Sequence, residues 1–564
     1  VDGGAGNDTI ALNDGAVISG GGTGVSSVSG GAGQDQITIT GTVTVQDNVN
    51  GISGGSEDDI FTLVAGATLN GVITGGTGND LIEGGDTASV FSITGLNSGL
   101  LTGGRLNGFS EVESLAGGTA ADTFRFDGGR LTGGIDGVSG ADTLLGSDSA
   151  LATEEDSATL TGLDTGTFVS GDTLPGVAGA ISVDHVQNFN LRAGDDQFTV
   201  TDGATLTGTL TGGAGSDTLI GPDAGATFRV TTPNTGELLN AAGTVELLGT
   251  GTLTPGFAGF ENLTGGNGDD TFTVNANLTG AINGGLGEDT LDLQAGATVG
   301  SVTAVENINL VVNGTDGADK IEIEVVGGVL QAVLNGAVSQ FFTPVGVLNI
   351  SLTINGFDGV DTLILDYASG TLPDVITFQD SLTLGAAAEL NTERVRILGT
   401  GAEDVSLSDT LDLNGRRSVT LTNGGVTQQV LVDPGALYEL EALNSVTVTS
   451  AGTNDVVTLN RLLTVPGSTI SARGALQITE VAGNFDELQL INVASVNLDL
   501  GKNDTAFTGS PDSVTINAGS LRSYATLVDV SISTGGGVDT AVLLESSYLN
   551  AAGADVLRLD LGAG

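Results

Sequence analysis

The sequence predicts an all-β fold: an elongated, right-handed parallel β-solenoid (β-helix or β-roll-like) with about 20 residues per coil. Three observations carry that expectation. A Gly-Gly-x-Gly-x-Asp phrase recurs along the chain, short apolar alternations follow it, and its copies keep a near-constant stride.

The phrase is complete at Gly3–Asp8, Gly30–Asp35, Gly75–Asp80, Gly212–Asp217, Gly265–Asp270 and Gly284–Asp289, and looser copies end at Asp59, Asp122, Asp142 and Asp196. Glycines bend the chain tightly and turn its carbonyl oxygens inward. The closing aspartate adds a carboxylate, so each copy is a candidate oxygen cage for Ca²⁺. The residues that follow, such as Thr271, Phe272, Thr273 and Val274, alternate in polarity as a short strand does.

The stride is set by aspartate pairs. Asp59 and Asp80 lie 21 residues apart, Asp122 and Asp142 lie 20, Asp196 and Asp217 lie 21, and Asp270 and Asp289 lie 19. The leaders Asp122, Asp196 and Asp270 are 74 residues apart. Three share an upstream phrase: Val112-Glu-Ser-Leu, Val186-Gln-Asn-Phe and Phe260-Glu-Asn-Leu. A duplicated unit of 74 residues, built of coils near 20, is therefore expected.

Composition supports strands over disorder. Glycine accounts for 93 of 564 residues, yet 39% are hydrophobic and fall in Val, Ile, Leu and Phe alternations. Scattered glycine disfavours long helices; short ones are expected only near Ala386–Arg396 and Gly435–Leu443. The formal charge of −53 excludes a nucleic-acid partner and asks for cations between neighbouring carboxylates. No stretch has the length and apolarity of a membrane span. With no methionine, and with Val1 already inside a repeat, the chain is expected to be a slice of a longer protein or a processed protomer.

Character changes near residue 311. Residues 1–310 read as the Gly/Asp-rich calcium-repeat-like solenoid, and residues 311–564 as its degenerate continuation with longer excursions. There the turns become Gly314-Thr-Asp-Gly-Ala-Asp319 and Gly356-Phe-Asp-Gly-Val-Asp361. Their 42-residue step equals two coils of the earlier stride.

The Gly-Gly-x-Gly-x-Asp turns resemble those of the repeats-in-toxin, or haemolysin-type, calcium-binding proteins, and the pattern is similar to large bacterial surface proteins, adhesins and S-layer proteins that use such turns. The resemblance implies Ca²⁺ between stacked turns. It implies carboxylate ligands at Asp8, Asp35, Asp80, Asp217, Asp270 and Asp289, and by the looser copies at Asp59, Asp122, Asp142 and Asp196. It departs from that family in carrying one motif per coil, not one every nine residues, so each site would draw on a pair such as Asp270 with Asp289.

Catalysis finds little footing: His185 is the one histidine, cysteine is absent, and no Trp offers a sugar platform. The expected role is structural. An extracellular filament, S-layer or adhesin stalk on a bacterial surface would be rigidified by Ca²⁺ and would self-associate as a homopolymer, lattice or fibre. Alternatives are an adhesin contacting cell-surface ligands through excursions such as Asp148–Asp184 or Thr231–Phe257, a calcium-dependent ice-binding solenoid with Thr-x-Thr arrays, and a polysaccharide-active β-helix enzyme.

Overall fold

A computed structural model describes residues 1–19, 28–46, 51–103, 105–148, 155–171, 179–248, 256–294, 296–315, 317–327 and 329–342. Beyond these it describes 349–355, 361–366, 375–379, 394–399, 404–411, 417–423, 426–432, 437–441, 443, 445–449, 456–461, 475–480, 488–491, 495–499, 513–516, 529–533, 540–543 and 556–560. The chain is all-β, and no helix occurs among the described residues. It divides into two compact units, Val1–Leu291 with Val299–Val305, and Asp292–Thr298 with Glu306–Gly564.

In the first unit two sheets of mainly parallel, in-register strands run from repeat to repeat, and in the first repeats a third parallel row, Val17–Ser19 with Thr42–Gln46 and then the start of Thr68–Thr77, lies between their strands in sequence. One sheet runs through Asp2–Ala5, Val28–Ala32, Ile52–Ser56 and Thr68–Thr77. The other runs through Thr9–Leu12, Gln36–Ile39, Ile60–Leu63, Leu81–Glu83 and Ser114–Gly118. The motif links them. In the first repeats its first two glycines lie within one sheet and its aspartate precedes the next strand of the other.

Register builds the core. Ile10, Ile37, Phe61, Ile82, Leu115, Ile135 and Val183 stand in one row of parallel partners, each at most 8% exposed. Because like positions stack, phenylalanine meets phenylalanine. The rings of Phe91 and Phe124 lie 5.2 Å apart and 5° from parallel, and those of Phe228 and Phe272 lie 4.8 Å apart at 11°. Such rows explain why a chain with so much glycine still folds: each strand contributes one or two large apolar residues, all to the same interior.

The excursions are not loops throughout. Val90–Gly95, Ser98–Leu101 and Leu106–Ser110 form an antiparallel meander inserted into the first sheet. Its first strand pairs forward in parallel (Phe91 with Phe124) and its third pairs backward (Phe109 with Ile73). A second meander, Ser157–Gly162, Thr165–Val169 and Ile181–Asp184, enters the other sheet. A third, Ala226–Thr232, Thr235–Asn240 and Phe257–Ala258, returns to the first. The stretches Asp148–Asp184 and Thr231–Phe257, expected as variable excursions, therefore supply sheet strands, although residues 149–154, 172–178 and 249–255 lie outside the described set.

The first hairpin of each of these meanders turns at a left-handed Asn or Asp: Asn97 (φ 48°), Asp164 (φ 51°) and Asn234 (φ 52°). The texts Leu96-Asn-Ser-Gly99, Leu163-Asp-Thr-Gly166 and Pro233-Asn-Thr-Gly236 carry that signal, because Asn and Asp tolerate the conformation that tight hairpins need.

The second unit is also built of parallel in-register strands, with Asn307–Asn313 beside Asn349–Asn355 and Lys320–Val326 beside Thr362–Asp366. Meanders recur at Lys320–Val326, Val329–Leu334 and Ala337–Phe342, and at Asp404–Leu411, Arg417–Asn423 and Val426–Val432. The 42-residue step from Asp319 to Asp361 is one repeat enlarged by a meander, not two repeats, because Lys320 pairs directly with Thr362. The helix expected near Gly435–Leu443 is instead the strand Leu437–Glu441. At Ala386–Arg396, residues 386–393 lie outside the described set and Arg394 begins the strand Arg394–Leu398. Alternating Tyr438 and Leu440, both fully buried, suit a strand in a parallel sheet better than a short surface helix.

Candidate functional site

The motif aspartates form ladders along the corners. The backbone N–H of each one donates to Oδ1 of the aspartate one repeat later. Asp8 donates to Asp35 (2.7 Å), Asp35 to Asp59 (2.8 Å) and Asp59 to Asp80 (2.8 Å). A second ladder joins Ser89 to Asp122 (2.6 Å) and Asp122 to Asp142 (2.7 Å). A third joins Asp156 to Asp196 (2.7 Å) and Asp196 to Asp217 (2.9 Å). A fourth joins Ala226 to Asp270 (2.6 Å) and Asp270 to Asp289 (2.8 Å). In the second unit Asp319 donates to Asp361 (2.8 Å). All ten sequence-predicted aspartates thus fall on ladders, and the expected pair Asp270 and Asp289 are neighbours. Except for Asp8, which is partly exposed, each is at most 1% exposed.

The glycines follow from this arrangement. A Cβ on Gly54 would lie inside contact distance of Asp59 Oδ2 and 2.7 Å from the carbonyl oxygen of Gly75, one repeat on. A Cβ on Gly117 would lie 2.5 Å from Asp122 Oδ2 and 2.9 Å from the Gly137 carbonyl oxygen. The first glycine is therefore a floor on which the carboxylate rests. In five of the six complete turns the second and fourth positions carry left-handed backbone, as at Gly31 (φ 115°) and Gly33 (φ 127°); Gly266 and Gly268 are the exception.

Looser copies keep that backbone without glycine: Glu57 (φ 78°), Val138 (φ 70°) and Arg192 (φ 73°). Val138 is β-branched and 46% exposed, so its strain is offset by little packing. Val138→Gly is expected to raise unfolding stability by about 1 kcal/mol, read from a denaturant midpoint. An unchanged midpoint would mean that the strain is absent.

A second, more exposed ladder runs beside the first in the opposite sense. The residue before the aspartate accepts from the following repeat: Gln34 N–H donates to Asn7 (3.1 Å), Asn79 to Asp58 (2.9 Å), Ser216 to Asp195 (2.9 Å) and Glu288 to Asp269 (2.9 Å).

The shared upstream phrases end three ladders. Glu113 accepts the N–H of Asp80 (2.8 Å), Gln187 that of Asp142 (2.7 Å) and Glu261 that of Asp217 (2.9 Å). Two of them meet a hairpin-turn asparagine, Glu113 with Asn97 and Glu261 with Asn234. Asn97 Nδ2 donates to Glu113 (2.8 Å) and Asn234 Nδ2 to Glu261 (2.9 Å). At these two junctions an amide meets a carboxylate, whereas Gln187 Nε2 donates to the His185 carbonyl oxygen (3.0 Å) and the Asp164 carboxylate takes the N–H and hydroxyl of Thr207 (2.7 Å each). Asn97→Asp is therefore expected to cost about 1–2 kcal/mol, by setting two carboxylates face to face. Adding Glu113→Gln should recover most of the loss, a coupling that a double-mutant cycle measures. Additive losses would show that the pair does not interact.

Burial governs the electrostatics. It lifts the carboxyls of Asp59, Asp80, Asp122, Asp217 and Asp270 to about 6 and that of Asp196 to about 7, against the N–H donation that lowers them; neighbouring carboxylates add to the rise. Arg105, 8% exposed, is the cation facing Asp122, and its guanidinium is held by Gly84 O (2.8 Å), Thr87 O (3.3 Å) and Ala67 O (3.3 Å). His185 lies at a corner, exposed, with Nδ1 2.9 Å from Asp136 Oδ1, which raises its pKa.

Whether the corners suit a calcium ion turns on their donors. Oδ2 of Asp8, Asp35, Asp59, Asp80, Asp122, Asp142, Asp196 and Asp217 is buried and takes no N–H or O–H. At the first glycine of each complete turn, a Cβ would meet both the motif Asp Oδ2 and one backbone carbonyl oxygen of the next repeat. Ca²⁺ takes about six to eight oxygens. Among the described residues no corner gathers three carboxylates within 4.8 Å of one another, and Oδ1 of the ladder aspartates is already engaged.

Among the described residues, one group brings three carboxylates within 4.8 Å of one another: Glu322, Glu324 and Asp366, half-buried on neighbouring parallel strands. Lys320 Nζ lies 2.9 Å from Glu322, and Gln331 donates to Glu324 at 2.6 Å. The alternation Lys320-Ile-Glu-Ile-Glu324 places both glutamates on one face, a signal the sequence reading passed over. No protein-family model matches the chain, and no curated protein is similar to it.

Proposed function

We propose that the chain is structural: a stretch of right-handed parallel β-solenoid serving as filament, S-layer or adhesin-stalk material at a bacterial cell surface. The observation that carries this reading is the continuity of the corner ladders. Side chains able to do chemistry are engaged, repeat after repeat, in satisfying backbone N–H groups of the neighbouring repeat, and where a meander adds antiparallel strands to one sheet the other sheet stays parallel across it. Buried carboxylates held in this way are fixed structural acceptors, not groups free to meet a substrate. An acidic, cysteine-free exterior keeps such material soluble outside the cell.

The ice-binding alternative needs one threonine per repeat along a face. The outward row Ala11, Thr38, Thr62, Glu83, Ala116 supplies two in succession, which gives that alternative little support. Negative-stain microscopy of the purified chain tests the structural reading. Uniform elongated particles, alone or joined in fibres or lattices, are expected, and compact globules would end it.

A further inference from the structure

We infer that the outer face of one stretch of sheet in the first unit is a lateral contact for a second copy of this chain, a step that rests on the structural reading above. Seven adjacent strands form it: Thr165–Val169, Ser157–Gly162, Gln197–Val200, Thr218–Ile220, Asn262–Thr264, Leu278–Asn283 and Val299–Thr303. None of them contains a charged residue, in a chain with 68 acidic and 15 basic ones. Other strands do carry charge: Glu83, Asp136 and Asp184 further along the same sheet, and Arg229 and Glu237 in the other.

Register makes the face uniform. Thr159, Thr199, Ile220, Thr264, Asn283 and Thr303 stand in one row of parallel partners, each at least partly exposed, while the alternate residues Phe198, Leu219 and Leu263 are buried in the core. No described residue bonds to the hydroxyls of Thr159, Thr199, Thr218 and Thr264. Ile220 lies on the middle strand of the seven. Charge returns at the strand ends, with Asp195 before Gln197–Val200, Asp202 after it and Asp223 after Thr218–Ile220. An uncharged centre with an apolar midpoint and a charged rim is the pattern of a protein–protein contact.

Charge selects the partner. At a formal −53, two copies brought together through most of their surface set carboxylate against carboxylate, and this face avoids that. Hydroxyls and amides both donate and accept, so the face is complementary to itself, and a two-fold axis lying between two such sheets at Ile220 sets Ile220 against Ile220. A sugar polymer is served less well, because the rings of these strands, Phe168 and Phe198, are buried and none is left to stack on sugar. At about 4.8 Å per strand and about 3.3 Å per residue the face measures roughly 29 Å by 15 Å, about 430 Å² per copy. A stable dimer buries about 800 Å² per partner, so a single contact is weak and takes effect by repetition among many copies.

Sedimentation velocity of the full chain in chelator, at rising protein concentration, tests the contact. Reversible association is expected. It should strengthen from 10 mM to 100 mM NaCl, where the Debye length falls from about 30 Å to about 10 Å and the rim carboxylates repel less. Thr199→Glu/Thr264→Glu puts charge on the face of each copy and should weaken association by about tenfold or more. Thr211→Glu/Thr290→Glu, on the other sheet, should leave it unchanged. Association that weakens with salt, or a face variant that associates as wild type does, overturns the proposal. So does retention of wild type on a neutral polysaccharide that the face variant loses while neither self-associates. Elongated particles that stay monomeric at every concentration also overturn it, and leave the structural reading standing. Should the face variant fail to fold, cross-linking decides. Ile220→Cys puts the single thiol of a cysteine-free chain on the face, and a short bis-maleimide should join two copies there but not through Thr211→Cys. Equal yields, or none at either position, refute the contact.

Discussion

Gly54→Ala is expected to lower unfolding stability by about 3 kcal/mol or more, among the largest losses available from a single methyl group. The new Cβ has no exit. It meets both Asp59 Oδ2 and, at 2.7 Å, the Gly75 carbonyl oxygen, and both belong to structure locked by neighbouring repeats. If the carboxylate yields, the buried N–H of Asp35 loses its acceptor; if the backbone yields, the parallel pairing of Ser53 with Thr74 is strained. Gly162→Ala is the control, since a Cβ there lies 3.8 Å from its nearest neighbour, and a shift within about 0.5 kcal/mol is expected. Denaturant midpoints of the two variants should differ widely. Similar midpoints would show that the carboxylate does not rest on the glycine.

Phe124→Ala is expected to cost about 3–5 kcal/mol. Phe124 is fully buried, stacked on Phe91 and paired in register between Phe91 and Leu144. A thin interior between two sheets cannot collapse around the void, because each strand's height is set by the ladders on both sides. Loss of the stack should also loosen the meander that begins at Val90, whose parallel partner is the strand carrying Phe124. Amide exchange at Val90–Gly95 should quicken more than at Ile10 or Ile37, several repeats away. Uniform quickening would show that the unit unfolds as one body.

Much of this was legible in the residues. The aspartate spacing predicted which carboxylates become neighbours, and Asp270 with Asp289 or Asp59 with Asp80 stand one repeat apart as expected. The apolar alternation predicted the buried row through Phe272 and Val274. The fate of the carboxylate was not legible. A Gly-Gly-x-Gly-x-Asp turn can aim its Asp at an ion or fold it over the first glycine, and only the stacked repeat decides, by supplying the N–H that Oδ1 accepts. The meanders were hidden for a different reason. Their hairpin signal, Asn or Asp before Ser/Thr-Gly, was present three times, but the third strand of each meander pairs with residues dozens of positions earlier. The role of Glu113, Gln187 and Glu261 likewise needed the ladder aspartate whose N–H each accepts.

The alternation of meanders between sheets has a consequence for how such a chain lengthens. From Asp122 to Asp196, and again from Asp196 to Asp270, the chain passes five strand positions if a meander counts as one. Five is odd, so the strand opened by Asp122 and the one opened by Asp196 belong to opposite sheets. Duplicating a single 74-residue segment therefore moves everything downstream to the other flank, and only tandem pairs restore the original orientation. Any feature encoded once per segment, such as the tips at Leu96, Leu163 and Pro233, is displayed on alternate flanks, a two-sided decoration obtained from one copied text.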